Sequence, residues 1–358
     1  MRLALSLARR QLGRTWPNPA VGCVIVRDGR VIARGRTRDG GRPHAEADAI
    51  ANAQESLKGT TVYVTLEPCA HHGKTPPCAD ALIAAGVGRV VSALEDPDPR
   101  VKGQGHARLV AAGIKVEVGE GAAAAAEINA GFFLRVKEGR PLFHLKIASS
   151  LDGRIATASG ESRWITGEAA RADGHRLRSL HDAILVGSGT VAADDPELTC
   201  RLPGLGAYSP DRIVLDSAAG MLAQSKLAVT ARATPVLLFH AGAPASQAAR
   251  LREKGIEVIE VPADGEGRVD VAAVANALGG LGYSSVLIEG GGRIAAAFLN
   301  AGLVDRISSY RAGIVLGEDS RSAVGPLAFD RLDFAPRFRL VSSRTVGTDT
   351  LETWYRRT

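Results

Sequence analysis

The sequence predicts two α/β domains in one chain, and three observations carry that prediction. The chain has 358 residues, more than one hydrophobic core usually organises. Apolar strand-like runs alternate with helical stretches on both sides of a Gly-Arg-Pro break at 139–141. Apolar residues make up 45% and charged residues 23%, which is enough to build two cores and argues against disorder. Aromatics are only 4%, so those cores are expected to be mainly Ala, Val, Leu and Ile. The break places the domains at 1–140 and 141–358.

Along the first domain, Leu3, Leu5, Leu7, Ala8 and Leu12 suit an amphipathic helix. VGCVIV (21–26) and VYVTL (62–66) read as buried strands. HAEADAIANAQESL (44–57) reads as a helix, and CADALIAAG (78–86) as another closed by Gly86. GRVVSAL and KVEVG return to strand, and GAAAAAEINAGFFLRVKEGR is a closing helix. In the second domain, strands are read in LFHLKIASSLDGRIA and at 183–187, 212–216, 235–239, 256–261 and 285–289, with helical stretches between. Residues 336–357 alternate apolar and polar as a β-hairpin does.

Net charge is +6, and it is lopsided. Residues 1–140 hold 20 Lys and Arg against 14 Asp and Glu, whereas the remainder balances at 24 each. A basic first half fits nucleic acid, a small phosphorylated substrate, or solubility alone. Long Lys/Arg runs and interleaved aromatics are missing, which disfavours nucleic acid. Arginines break every apolar run of MRLALSLARRQLGR, so it reads as a domain helix and not as a secretory leader. No apolar run reaches the roughly 18 residues of a membrane span. Four cysteines are too few for a disulfide scaffold, and a reducing cytoplasm is the expected home.

The chemistry is concentrated in PHAEAD and EPCAHHGKTPPC. His44 opens a predicted helix after Pro43, Cys69 follows a strand and Pro68, and Cys78 opens the next helix. Helix N-termini favour thiolates. One His and two Cys leave the fourth tetrahedral position of a zinc ion for water, as catalytic zinc requires. Glu46 is then the natural proton shuttle, following the H-x-E … P-C-x-x-C logic of zinc deaminases. Eight residues separate Cys69 from Cys78 where that pattern has two, so His71 or His72 rivals Cys78 as the third ligand. Cys78 is preferred because Pro76 and Pro77 give its helix a stiff lead-in. The bland reading is two buried thiols and a loop of surface histidines. In the second domain GSGTVAAD is a weak phosphate-loop signal. EGGGRIAAAF is better, since three glycines before a helix let backbone approach a ligand.

Taken together, PNPAVGCVIV, GGRPHAEADA, VYVTLEPCAHHGKTPPCADALI and EDPDP resemble the bifunctional riboflavin-biosynthesis deaminase/reductase family. So do HLKIASSLDGRIATASGESRWITG, ILVGSGTVAADDPELTCR, RIVLDS, LIEGGG and GIVLG. The resemblance spans essentially the whole chain and includes the long gap between the cysteines. It implies a cytidine-deaminase-like three-layer domain followed by a dihydrofolate-reductase-like domain. It also implies one zinc per chain, NADPH, phosphorylated pyrimidine substrates, and a homodimer or homotetramer.

Residue by residue, the resemblance makes His44, Cys69 and Cys78 the zinc ligands and Glu46 the proton donor. Asn18 becomes a pyrimidine contact and Lys74 a phosphate contact; unaided, these read as a turn residue and a loop lysine. The implied NADPH contacts are Ala148, Trp164, Thr190, Asp194, Ser217, Gly291, Gly292, Arg293, Ile294, Ala295, Ala296 and Ala297. The implied substrate contacts in the reductase are Ser162, Arg178, Leu198, Arg201 and Glu289. Arginine forks suit a ribose phosphate. Lys146 and Asp152 are candidates for proton transfer to the ribosyl oxygen. The sequence departs from the family at GRTRD, where many members have an aromatic and a histidine after the glycine. Two rival readings are a deaminase joined to a non-catalytic nucleotide sensor and a zinc-stabilised nucleic-acid binder. The intact ADDPELTCR and EGGG stretches oppose the first, and the neutral second half opposes the other.

Overall fold

The computed structural model describes residues 1–71 and 76–357. The chain divides into two compact units, Met1–Gly139 and Arg140–Thr358. Among the described residues, no helix is long and apolar enough to cross a membrane.

The first unit opens with α1 (Arg2–Arg9), followed by β1 (Gly22–Arg27) and β2 (Arg30–Arg36). Next come α2 (Ala45–Ala51), β3 (Thr61–Val64), α3 (Cys78–Ala84) and β4 (Arg89–Ser92). The unit ends with α4 (Gln104–Ala111), β5 (Lys115–Val118), α5 (Ala122–Ile128) and α6 (Ala130–Glu138). Its five strands form one sheet in the order β2-β1-β3-β4-β5, antiparallel on the β2 side and parallel from β3 to β5. Cys23, Ile25, Val62, Val64, Val90 and Leu82 lie at its core.

Several local features depart from the sequence pattern. The first helix buries Ala4, Leu5 and Ala8 and leaves Leu3 exposed. β2 is hidden by its arginines, although Asp28-Gly29 marks it. Both residues have positive φ and join Arg27 to Arg30 as a two-residue hairpin turn. α2 stops at Ala51, six residues short of the predicted 44–57, because Asn52 and the polar residues after it leave the helix before Leu57 returns to the core. The closing helix breaks at Asn129. Its buried amide accepts from the Ala20 N–H at 2.8 Å and donates to the Ala20 carbonyl at 3.1 Å, so it serves another segment instead of continuing a helix face.

The second unit begins with β6 (Leu142–Ser149), β7 (Arg154–Ala156) and α7 (Glu168–Arg178). It continues through β8 (Ala183–Gly187), α8 (Ser188–Asp194), β9 (Asp211–Leu215) and α9 (Lys226–Val229). Then come β10 (Val236–His240), α10 (Ala245–Glu253), β11 (Glu257–Glu260) and α11 (Val271–Gly280). The last elements are β12 (Ser285–Ile288), α12 (Gly292–Asn300), β13 (Val304–Arg311), β14 (Arg321–Ser322), β15 (Phe338–Val346) and β16 (Asp349–Arg356). Nine strands make one sheet, β11-β10-β9-β8-β12-β6-β13-β16-β15. The run from β11 to β13 is parallel, and the predicted hairpin β15–β16 completes the sheet antiparallel. A parallel sheet gathers its strand ends, so whatever follows β6, β8, β9 and β12 meets along one carboxyl edge.

Candidate active sites

In the first unit, α2 and α3 aim their first turns at one point. His44 precedes α2 in an extended conformation, and Cys78 is the first residue of α3. The His44 Nδ1 lies 3.6 Å from Cys69 Sγ and 3.5 Å from Cys78 Sγ. All three donor atoms lie within 4.8 Å of one another. A tetrahedral zinc with ordinary Zn–N and Zn–S bonds requires an N···S edge of about 3.6 Å. The donor set therefore fits zinc. His71 is not in this cluster; His72 and Lys74 lie outside the described residues.

Close packing sets this geometry. A Cβ on Gly35 in β2 would sit 2.1 Å from the Ala45 carbonyl oxygen, so only glycine lets α2 lie this close to the sheet. A Cβ on Gly105 would sit 1.9 Å from the Pro68 oxygen, so α4 braces the residue before Cys69 in the same way. The Cys78 backbone N–H at the start of α3 donates to Cys69 Sγ at 3.3 Å. Hydrogen bonding from the Cys78 thiol, with His44 adding, holds Cys69 down to about 4, and the same contact together with burial pushes Cys78 up. Glu46 is buried in the first turn of α2, next to Cys78. Burial, reinforced by the Cys69 charge, pushes its carboxyl up to about 7.

Three residues that the motif search passed over hold this site together. Glu67, directly before Pro68-Cys69, is buried and accepts four backbone N–H groups, from Asp96, Gly103, Gly105 and His106, at 2.8–3.2 Å. A glutamate in so apolar a stretch as VTLEPC was the available signal. Asp48 pairs with the Arg38 Nε at 2.8 Å and accepts the Arg36 N–H at 3.0 Å. Thr37 accepts from the Val21 N–H and donates to the Pro19 carbonyl, which fastens the segment carrying Asn18. The divergent GRTRD stretch is thus built into the fold through Asp48 and the Pro-Asn-Pro turn. Asn18 itself donates to the Gly41 carbonyl at 3.2 Å.

In the second unit the carboxyl edge of the sheet collects most of the expected residues. Ala148 lies near the end of β6, Thr190 and Asp194 on α8 after β8, Ser217 after β9, and Glu289 directly after β12. Gly291 caps α12, whose first turns hold Gly292, Arg293, Ile294, Ala295, Ala296 and Ala297. At the centre, Arg178 grips Glu289 with two parallel hydrogen bonds of 2.8 and 3.0 Å. Lys146 Nζ lies 3.7 Å from the same carboxylate. Although burial opposes it, the paired charges of Arg178 and Lys146 hold Glu289 down to about 2. Arg178 also donates to the Thr199 carbonyl at 2.9 Å.

The remaining residues are more dispersed. Trp164 is exposed, with the Arg171 guanidinium 4.5 Å from its ring centroid. It borders a cleft of about 450 Å³ shared with Thr166, Gly167, Gly313 and Asp349. Ser162 is half-buried and Arg201 is exposed, and Arg201 reaches Glu197 at 3.5 Å. Leu198 points into the core, so only its backbone can face a ligand. Asp152 accepts from Ser150 Oγ at 2.6 Å and from the Leu316 and Gly317 amides, and the Ser150 contact leads in holding it down to about 2. This exposed carboxylate fastens the loop at 314–317.

Comparison with known proteins agrees with this two-site geometry. Residues 1–94 match the cytidine and deoxycytidylate deaminase zinc-binding region, and residues 141–351 match the RibD C-terminal domain. The riboflavin biosynthesis protein RibD of Escherichia coli is 42% identical, covering 98% of this chain and 96% of its own length. The chain belongs to the RibD family of riboflavin biosynthesis proteins. Within that family, RibD of Bacillus amyloliquefaciens is 39% identical over 98% of this chain and 93% of its own. The RibD structure from Acinetobacter baumannii superposes with a TM-score of 0.89 at 38% identity, covering 100% of this chain and 98% of that one. A deaminase/reductase structure from Thermotoga maritima gives 0.86 at 33%, covering 99% and 97%. As a RibD family member, the chain is a bifunctional deaminase and reductase of riboflavin biosynthesis, with zinc and NADPH as its cofactors.

Proposed function

We propose that residues 1–140 hydrolyse the amino group of 2,5-diamino-6-(5-phosphoribosylamino)pyrimidin-4-one, and that residues 141–358 reduce the ribosyl group of the deaminated product to ribityl. The Thermotoga structure is named as a diaminohydroxyphosphoribosylaminopyrimidine deaminase and 5-amino-6-(5-phosphoribosylamino)uracil reductase. The single observation that carries the deaminase is the convergence of His44 Nδ1, Cys69 Sγ and Cys78 Sγ beside the buried Glu46.

In this reading His44, Cys69 and Cys78 would hold zinc, which when bound would acidify water and so supply a nucleophile near neutral pH. Glu46 moves the proton. Its buried carboxyl takes a proton from the attacking water and delivers it to the departing nitrogen, which leaves as ammonia while a carbonyl forms. Asn18, set by the Pro-Asn-Pro turn, meets the pyrimidine edge, and Lys74 the phosphate. In the reductase, NADPH supplies the hydride. The N-terminal turn of α12 at Gly291 receives a cofactor phosphate on backbone N–H groups. Arg178 and Arg201 face the substrate, with Arg178 kept in register by Glu289. Lys146, beside Glu289, and Asp152 are the proton-transfer candidates. All four cysteines are free, which supports a reducing, cytoplasmic setting. The homo-oligomer implied by the family resemblance is part of the same proposal, and sedimentation analysis tests it.

A coupled assay tests the two activities together. Purified protein given the diaminopyrimidine is expected to release ammonia and oxidise NADPH. Deamination without NADPH oxidation, even with the deaminated intermediate supplied, would assign the second unit to sensing.

A further inference from the structure

We propose that Arg212 is a positioning residue of the reductase, holding the segment 195–201 in the shape that offers the Leu198 backbone and the Arg201 side chain to substrate. The inference rests on the reading, given above, that Leu198 and Arg201 touch the substrate.

Three observations carry it. First, Arg212 in β9 is 0% exposed, and the hydrogen bonds of its guanidinium go to uncharged oxygens. Nη1 donates to Thr230 Oγ1 at 2.7 Å and to the Glu197 carbonyl at 3.3 Å, while Nη2 donates to the Thr230 carbonyl at 3.1 Å and to that of Thr234. Burying a cation without a carboxylate bonded to it is costly, and an apolar side chain would fill the same space more cheaply. Second, the segment it touches is strained. Asp195 has φ 38° and Leu198 φ 58°, a left-handed backbone that residues with a Cβ disfavour. Third, the Glu197 carbonyl belongs to the peptide that leads into Leu198. The rest of the segment is tied from other sides. Asp195 Oδ1 accepts the Lys226 N–H at 2.8 Å, and the Thr199 carbonyl accepts from Arg178 at 2.9 Å. Arg212 supplies the tie between the two strained residues. Such conformations persist where surrounding contacts over-determine them, and they concentrate at ligand sites.

Arg212→Lys tests this. It retains a cation of similar length, but one ammonium cannot reach the Glu197 carbonyl and both Thr230 and Thr234 together. Losing one charge-assisted hydrogen bond to the segment is expected to raise the KM for the deaminated substrate about tenfold. The KM for NADPH and the deaminase rate of the same sample are expected to be unchanged. A purely structural arginine would lower the active fraction, and so kcat, with both KM values kept. Both KM values within about twofold of the parent would therefore overturn the proposal. Arg201→Ala separates the inference from the reading beneath it. If that variant raises the substrate KM and Arg212→Lys does not, the positioning role fails and the contact reading stands. If Arg201→Ala leaves the substrate KM unmoved, the contact reading fails and takes the proposal with it. Should Arg212→Lys also lose NADPH binding, Thr230→Val, which removes the Oγ1 that accepts from Arg212 and donates to the Lys226 carbonyl, is judged by the same two KM values.

Discussion

Acidification should destabilise the second unit through two buried histidines, by an amount that can be worked out. His144 in β6 and His181, between α7 and β8, face each other with Nδ1 of the first 3.1 Å from Nε2 of the second. The Leu177 carbonyl, 2.7 Å from the His181 Nδ1, can only accept, so that nitrogen carries the proton. His181 Nε2 then accepts from His144 Nδ1, and His144 Nε2 accepts from Ser308 Oγ at 2.9 Å. The arrangement has one proton per ring and no place for another. Burial holds His181 down to about 4 and pushes His144 down as well, with Arg306 opposing charge on both. A folded-state pKa below the unfolded value means that the unfolded chain binds more protons. Stability is then fully present above the unfolded value of roughly 6.5 and is lost as pH falls through it toward the folded value. Between pH 7 and 5, His181 alone accounts for a loss of about 2 kcal/mol, and His144 acts in the same direction. The chain's three tryptophans include Trp16, so Trp16→Phe leaves Trp164 and Trp354 to report unfolding of residues 140–358 in urea by fluorescence. In that background His144→Gln with His181→Gln removes both titrations. Relative to this double variant, the parent should lose about 2 kcal/mol or more between pH 7 and 5. Parallel stability curves would refute the neutral, tautomer-locked pair.

Three further outcomes are expected. Glu46→Gln keeps zinc, measured by elemental analysis, and abolishes deamination while reduction of supplied intermediate continues; Cys78→Ala loses the zinc as well. Asn129→Ala strands both backbone groups of Ala20, and urea titration followed at Trp16 should show the first unit weakened by about 2–4 kcal/mol. Glu289→Gln leaves Arg178 and Lys146 facing a neutral amide. It should destabilise the second unit by about 3–5 kcal/mol in the same fluorescence assay and stop NADPH oxidation.

Much of the architecture was legible because its signals are local. The strands at 183–187 and 285–289 are short apolar runs between turn residues, and the C-terminal hairpin declares itself by alternation. Where arginines covered the pattern, as in β2, periodicity failed, although the Asp28-Gly29 turn remained readable. The break at Asn129 could not be read from its own segment, because the helix is interrupted for the sake of Ala20, 109 residues away. Asp152 is similar: SLDGR shows an acid, but not that its partners at Leu316 and Gly317 lie 164 and 165 residues on.

On its own, the sequence determined which chemistries the chain carries. Metal-ligating and phosphate-gripping side chains are few in kind, and their spacing around predicted helix starts limits what they can do. It determined two α/β domains for the same reason, since hydrophobic periodicity is a property of neighbours. Tertiary structure alone decided that Cys78 and not His71 stands with His44 and Cys69. It also decided that Glu67 clamps four amides, that Arg178 is held by Glu289, and that a buried Arg212 braces a strained segment. Each of these depends on distance between residues remote in the chain. Such distances are set by the close approach of α2 to the sheet at Gly35 and of α4 to Pro68 at Gly105, and by the parallel sheet that brings its strand ends to one edge.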